Sequence, residues 1–252
     1  MTDGPLSLRV IGPGRAGESL RRALAGAGWS AQPSLYRDDD LSDAATGVEL
    51  LVVAVPDAAV APVAASVGPG DAVVIHLAGS LGCDVLAPHT DTGGLHPLVA
   101  LPSPDVGETR LVSGAWFGVA ATTERARQMV ERVVDDLGGR AVAVADRDRA
   151  AYHAAAAIAA NHLVALMAQV EAVAGAAGVP LQAFTALAAG ALSDVAALGP
   201  GAALTGPVAR GDWATVRAHR GALAPEELEA YDAMSRRAAR LAGTDWPVSG
   251  AP

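Results

Sequence analysis

An α/β domain built around a parallel sheet, followed by an all-helical domain, is the fold class this sequence predicts. Three observations carry it. Short β-branched runs alternate with helical patterns from Leu8 to about Ala145, which reads as a series of strand-helix-strand units. A glycine-rich turn joins the first of those runs to the first helix. After Asp148 the strand-like runs stop and only helical patterns follow. A chain of 252 residues fits one domain of about 150 residues and a smaller one. The expected division is 1–147 and 148–252.

The elements follow in order. LRVIG from Leu8 predicts the first strand and Ala16 to Ala27 the first helix. Val48 to Val55 and Ala72 to Leu77 predict strands that are apolar on both faces, as central strands covered by helices on both sides must be. Asp57 to Val67 is the helix between them. LVSGAWFGVA and RAVAVA predict two further strands flanking a helix from about Thr123 to Leu137. The first helix of the second domain, about Asp148 to Ala177, is too long and alanine-rich for an amphipathic surface helix, so it is expected to be central or to lie at an interface. Three more helical patterns follow, separated at Gly178-Val179-Pro180, Gly199-Pro200-Gly201 and Ala224-Pro225.

Composition narrows the function. Hydrophobic residues make up 51% of the chain and aromatics only 4%, so Ala, Val and Leu must fill the interior and helices must pack closely. A net charge of −9, with no continuous basic stripe, argues against a nucleic-acid partner, because phosphate neutralisation needs positive charge. No apolar run approaches the ~20 residues of a membrane span, and no basic-apolar leader precedes the first strand, so a cytoplasmic protein is expected. The single cysteine, Cys83, cannot form an internal disulfide, and no Cys/His cluster has zinc spacing, so no metal is expected. All 18 basic side chains are arginines.

Gly12-Pro13-Gly14-Arg15-Ala16-Gly17 is a G-x-G-x-x-G that follows a strand and opens a helix. In that context the first glycine permits the tight turn, the second admits a pyrophosphate to the backbone, and the third lets helix and strand approach. This is the fingerprint of a Rossmann dinucleotide-binding domain. About 20 residues on, where an acidic residue would select NAD, stands Arg37. Its planar fork suits a 2′-phosphate and so favours NADP, although Asp38, Asp39 and Asp40 offer it surface partners. Val55 and Pro56 end the next buried strand and are expected beside the dinucleotide. Asp57 reads as a helix N-cap.

Ligands of open α/β sheets gather at the C-terminal strand ends. His76, Ser80 and His96 fall there. His76, inside an apolar strand, reads as a satisfied core histidine, while His96, in a short rigid loop between Gly93-Gly94 and Pro97, is a candidate to line the site, with Ser80 beside the substrate. On the long helix, Arg149 and His153 are one turn apart and share a face. Asn161, among Ala and Leu, is expected to be buried and hydrogen-bonded. In the loop from Leu204 to Asp212, Arg210 either binds a substrate carboxylate or anchors helix ends, and Asp212 reads as an N-cap.

These segments, above all Leu204 to Val216 with His219, resemble Rossmann-like proteins with a C-terminal domain of unknown function 2520, a group akin to pyrroline-5-carboxylate reductases and β-hydroxyacid dehydrogenases. The resemblance covers nearly the whole chain. It implies an NADP-dependent reductase whose all-α second domain is of the 6-phosphogluconate-dehydrogenase-like type and forms a homodimer. Some relatives resemble alternative ketopantoate reductases of pantothenate biosynthesis. One departure matters. Where that group tends to place a lysine before the tyrosine and histidine, this chain has Arg149, a poor proton donor because a guanidinium stays protonated. The expectation is therefore hydride transfer from NADPH to a small carbonyl compound such as a 2-oxo acid. His153 is the first candidate acid and His96 the second; Arg149 and Asn161 polarise the carbonyl. The alternatives are an imine reductase, since an iminium already carries its proton, and a non-catalytic NADP-binding regulatory protein.

Overall fold

A computed structural model of the chain describes residues 4–247. It divides into two compact units, Met1–Ala160 and Asn161–Pro252. The division falls inside the long helical stretch rather than before it at 147/148.

The first unit is a seven-stranded sheet in the order β2-β1-β3-β4-β5-β6-β7. Its strands are β1 (Ser7–Ile11), β2 (Ser30–Ala31), β3 (Leu50–Val53), β4 (Val73–His76), β5 (Thr92–Pro97), β6 (Trp116–Ala121) and β7 (Arg140–Ala143). Every neighbouring pair is parallel except β5 and β6. The helices are α1 (Arg15–Gly26), α2 (Asp57–Ser66), α3 (Pro104–Leu111) and α4 (Glu124–Asp136).

Period-two alternation divides the apolar strand residues between two layers. Leu8, Val10, Leu50, Val52, Val73 and Ile75 pack with Leu20 and Leu24 of α1 and Val130 and Val133 of α4. Ile11, Leu51, Val53 and Val74 face the other way, onto Val60, Val63 and Ala64 of α2. Burial of each large side chain contributes roughly 1.5–3 kcal/mol relative to exposure, so the central strands are the most strongly fixed part of the unit. The expectation that Val48 to Val55 and Ala72 to Leu77 are two-sided strands holds for this reason.

Two local expectations are corrected and a third, the long helix, is refined. His96 lies in strand β5, not in a loop. The sequence conceals this strand because Gly93 and Gly94 stand where side chains would crowd: a Cβ on Gly93 would meet Val130 at 2.9 Å, and one on Gly94 would meet Arg149 Nη2 at 2.7 Å. The run LVSGAWFGVA becomes strand only from Trp116, because Leu111 closes α3 and Gly114 turns at φ +78°. The single helix expected from Asp148 to Ala177 is α5 (Arg149–Ala157), a π turn (Ile158–His162) and α6 (Leu163–Ala176).

The second unit continues with α7 (Leu181–Leu198), α8 (Pro200–Ala203), α9 (Trp213–Ala222) and α10 (Pro225–Ala242). Asp212 caps α9, accepting from the Thr215 backbone N–H at 3.1 Å and from the Thr215 hydroxyl at 2.7 Å. Its small core is Val208, Val216 and Ala239, packed by Trp213, Tyr231 and Trp246. Apolar side chains of α6 and α7 stay exposed, Val164 at 72% and Leu187 at 69%. The absence of any span-like stretch was also expected, and composition contradicts it. Asp146–Ala176 and Leu181–Leu198 are long and apolar enough to cross a membrane by those two criteria alone. Alanine raises the mean hydropathy of these helices without making an unbroken run of large apolar residues.

Candidate active site

The crevice for a dinucleotide opens where β2 and β3 leave β1 in opposite directions. Gly12 turns there at φ +88°, and a Cβ on it would meet the Ala54 carbonyl at 2.7 Å and Val55 at 2.9 Å. Gly17 lies buried between α1 and β1, where a Cβ would press on Ala54 and Val10. Gly14, the N-cap of α1, offers no side-chain cap, and a Cβ on it would meet nothing within 4 Å. The first amides of α1, at Arg15, Ala16 and Gly17, thus face an open cradle and carry the partial positive charge of a helix N-terminus. This fits a pyrophosphate. Pro13 shapes the turn and Pro56 occupies the N-cap position of α2, next to Val55.

Leu35 pairs with Ile11, and its carbonyl accepts from the Gly12 N–H at 2.8 Å. The next residues, Tyr36 and Arg37, therefore emerge beside the glycine turn. Arg37 is largely exposed, with Asp38 3.6 Å away. Such an exposed pair contributes little, which leaves the guanidinium free to grip an anion.

Asp57 is corrected. It is the first residue of α2, not its cap, and it accepts a hydrogen bond from the Ser80 hydroxyl at 2.6 Å. Ser80 is thereby held at the end of β4.

Three sequence candidates converge in the first unit: His96, Arg149 and His153. The rings of His96 and His153 stand edge to face, centroids 5.7 Å apart. Tyr152, the neighbour of His153, has its hydroxyl 2.8 Å from His96 Nδ1. This bond was not foreseen, because it depends on β5 and β6 being antiparallel partners with His96 opposite Gly118. Glycines make room for each polar group. A Cβ on Gly79 would lie 2.9 Å from His96 Nε2 and 2.8 Å from His153, and one on Gly118 would overlap the Tyr152 hydroxyl.

Arg149 is 1% exposed. Its Nε donates to Asp146 at 3.1 Å, and Nη1 and Nη2 are buried without a partner. Its charge acts on its neighbours. His76 is held below its usual pKa, first by burial and then by Arg149. It behaves as the expected core histidine: the Ala78 N–H donates to Nδ1 at 3.2 Å, which puts the proton on Nε2, 3.1 Å from the Gly82 carbonyl. His96 is pushed down to about 4, chiefly by burial, then by His153 and Arg149, against an opposing pull from Asp57. Burial pushes the Tyr152 phenol up. At neutral pH the cleft therefore holds a neutral imidazole hydrogen-bonded to a neutral phenol.

Asn161 and Arg210 belong to the second unit and are both exposed. For Asn161 this corrects the expected burial, because the π turn presents it to solvent in place of an apolar packing face.

Residues 32–102 match a Rossmann-like domain and residues 115–238 match the domain of unknown function DUF2520. No curated protein sequence matches the chain. Among solved structures, a Bacteroides fragilis protein provisionally described as an NADP oxidoreductase is similar with TM-score 0.79 and 21% identity, covering 94% of this chain and 98% of its own. Plasmodium falciparum pyrroline carboxylate reductase, solved with NADP bound, is similar with TM-score 0.62 and 12% identity over 94% and 98%. An Aspergillus terreus reductive aminase, in complex with NADPH, has TM-score 0.66 and 16% identity over 96% of both chains. These likenesses are likenesses of fold. Strands β3 to β7, the histidine-bearing helix and most of the second unit lie inside the two matching regions, so the chain carries a Rossmann-like domain joined to a C-terminal domain of unknown function DUF2520.

Proposed function

We propose that this protein is an NADP-dependent oxidoreductase that reduces a small carbonyl compound. One observation carries the reading: the open glycine cradle after β1 and the His96-Tyr152-His153 cluster after β4 and β5 lie along the same C-terminal edge of the sheet. When bound, the dinucleotide supplies a hydride. The amides of Arg15 to Gly17 would hold its pyrophosphate and Arg37 its 2′-phosphate. The neutral His96 polarises the acceptor oxygen and passes it a proton. Because His96 has a fixed hydrogen-bond partner behind it, it takes precedence over His153 as the proton donor. Arg149 is too buried to touch a substrate, and its charge adds to burial in keeping His76 and His96 neutral. A 2-oxo acid such as ketopantoate is the first substrate to test. The likeness to a pyrroline carboxylate reductase and a reductive aminase favours cyclic imines as the second.

Arg37→Ser is the test of cofactor choice. A charged hydrogen bond contributes about 1.5–3 kcal/mol, so NADPH affinity should fall roughly 10- to 100-fold while NADH affinity stays unchanged. Equal losses for both, or none, would remove Arg37 from the site.

The second unit supports a further reading, a homodimer in a cytoplasmic protein, with no membrane. The exposed Val164, Leu187, Leu192 and Leu198 would be covered by the same helices of a second copy. An apolar cleft of about 320 Å³ lined by Leu163, Met167, Phe184, Leu187 and Leu192 opens on this surface. Sedimentation in plain buffer should give twice the 25.2 kDa chain mass. A monomer, or protein soluble only in detergent, would contradict this.

A further inference from the structure

The Tyr152 hydroxyl lies within hydrogen-bond distance of His96 Nδ1, at 2.8 Å. On its other side the phenol packs against Gly118, where a side chain would overlap the hydroxyl. A phenol is a stronger hydrogen-bond donor than a neutral imidazole N–H, and an imidazole nitrogen is a stronger acceptor than a phenol oxygen, so Tyr152 donates this bond and Nδ1 accepts it.

We propose that Tyr152 is a positioning residue that locks His96 in the tautomer with its hydrogen on Nε2, the nitrogen that faces the gap left by the missing side chain of Gly79. The tautomer stands on the Tyr152–His96 hydrogen bond and the greater acidity of the phenol; its catalytic use rests on the reductase reading above. The groups facing His96 are Tyr152, His153, Arg149, Asp57 and His76. None is a carboxylate bonded to the ring, so the arrangement holds a neutral donor rather than an imidazolium. In turnover the bonds balance. As hydride adds to the carbonyl carbon, the C=O electron pair moves to oxygen and takes the Nε2 proton. Nδ1 then takes the Tyr152 proton, and when water reprotonates Nε2 the Nδ1 proton returns to the phenolate, which restores the resting tautomer. An alkoxide is a far stronger base than a phenolate, so the sequence runs downhill. Tyr152 thus sets the resting tautomer and carries the charge of the deprotonated imidazole until water refills Nε2.

The experiment is long-range ¹H–¹⁵N correlation NMR on full-length protein labelled at histidine, with the His96 signals assigned by their loss in His96→Gln. The wild type should show His96 with its proton on Nε2. In Tyr152→Phe, His96 should populate both tautomers, while His76, fixed by Ala78 and Gly82, should keep its signals and so report an intact fold. A wild-type His96 with its proton on Nδ1 overturns the proposal whether or not the variant folds. So does an unchanged Nε2 tautomer in Tyr152→Phe. If the lock is confirmed and no carbonyl or imine substrate turns over, the reductase reading fails and the tautomer assignment stands. With a substrate in hand, Tyr152→Phe should lower kcat by about 100-fold, the scale of a misplaced reacting group, with the KM for NADPH unchanged.

Discussion

Replacing Gly12 with alanine is expected to abolish NADPH binding and to destabilise the first unit. Two effects combine. At φ +88° an L side chain is strained by ~1–2 kcal/mol. Independently, the new methyl would sit 2.7 Å from the Ala54 carbonyl and 2.9 Å from Val55, and both belong to the segment leaving buried strand β3, which cannot retreat without disturbing the core. Overpacking of this kind costs typically 1–3 kcal/mol. A total loss on the order of 2–5 kcal/mol is expected in urea unfolding, with NADPH affinity reduced below detection because the turn must move away from the helix amides. Gly14→Ala, whose added methyl meets open space, should leave stability nearly unchanged while still weakening NADPH binding. If both variants bound NADPH like the wild type, the turn would not be the cofactor cradle.

His96→Gln should produce two separate losses. The first is catalytic: removing the group that polarises and protonates the oxygen should lower kcat by ~100-fold or more with NADPH affinity intact. An unchanged kcat would point to a substrate that brings its own proton, such as an iminium. The second is a change in acid behaviour. His96 titrates near 4 in the folded protein against 6.5 as its ordinary value, so the unfolded chain takes up this proton first as pH falls. Stability should therefore decline as pH drops from about 6.5 to 4, by an amount on the order of 3 kcal/mol for this group. The lowered titration of His76 adds to the decline in the same direction. Glu18, held down at about 2 by its bond to Arg21, loses its contribution only at lower pH, from about 4.5 downward. Guanidinium unfolding at pH 7 and pH 5 separates these windows, and His96→Gln should show a shallower slope between them.

The cofactor half of the site was readable from the sequence because its determinants are local. A strand, three spaced glycines and a helix must be contiguous to make the cradle, and Arg37 enters by its fixed distance from them. The two-sided strands β3 and β4 were readable for the same reason, since four consecutive buried positions leave a plain apolar run. The catalytic half depends on long-range placement. His96 meets Tyr152 across 56 positions of sequence, and the strand that carries it looks like a loop because its glycines yield space to Val130 and Arg149. Helical spacing identified Arg149 and His153 as neighbours, but not that one would be buried as a charge and the other left at the cleft. For Asn161 the composition of its surroundings misled, because an alanine-rich helix need not be a buried one.

The most direct test of the central claim is a fluorescence titration of the purified wild-type protein with NADPH and with NADH. The account predicts that NADPH emission shifts or changes intensity saturably, and at lower protein concentration than NADH emission does. No change with either nucleotide at protein concentrations in excess of it would contradict the claim at its root, because the glycine turn and Arg37 would then hold no dinucleotide.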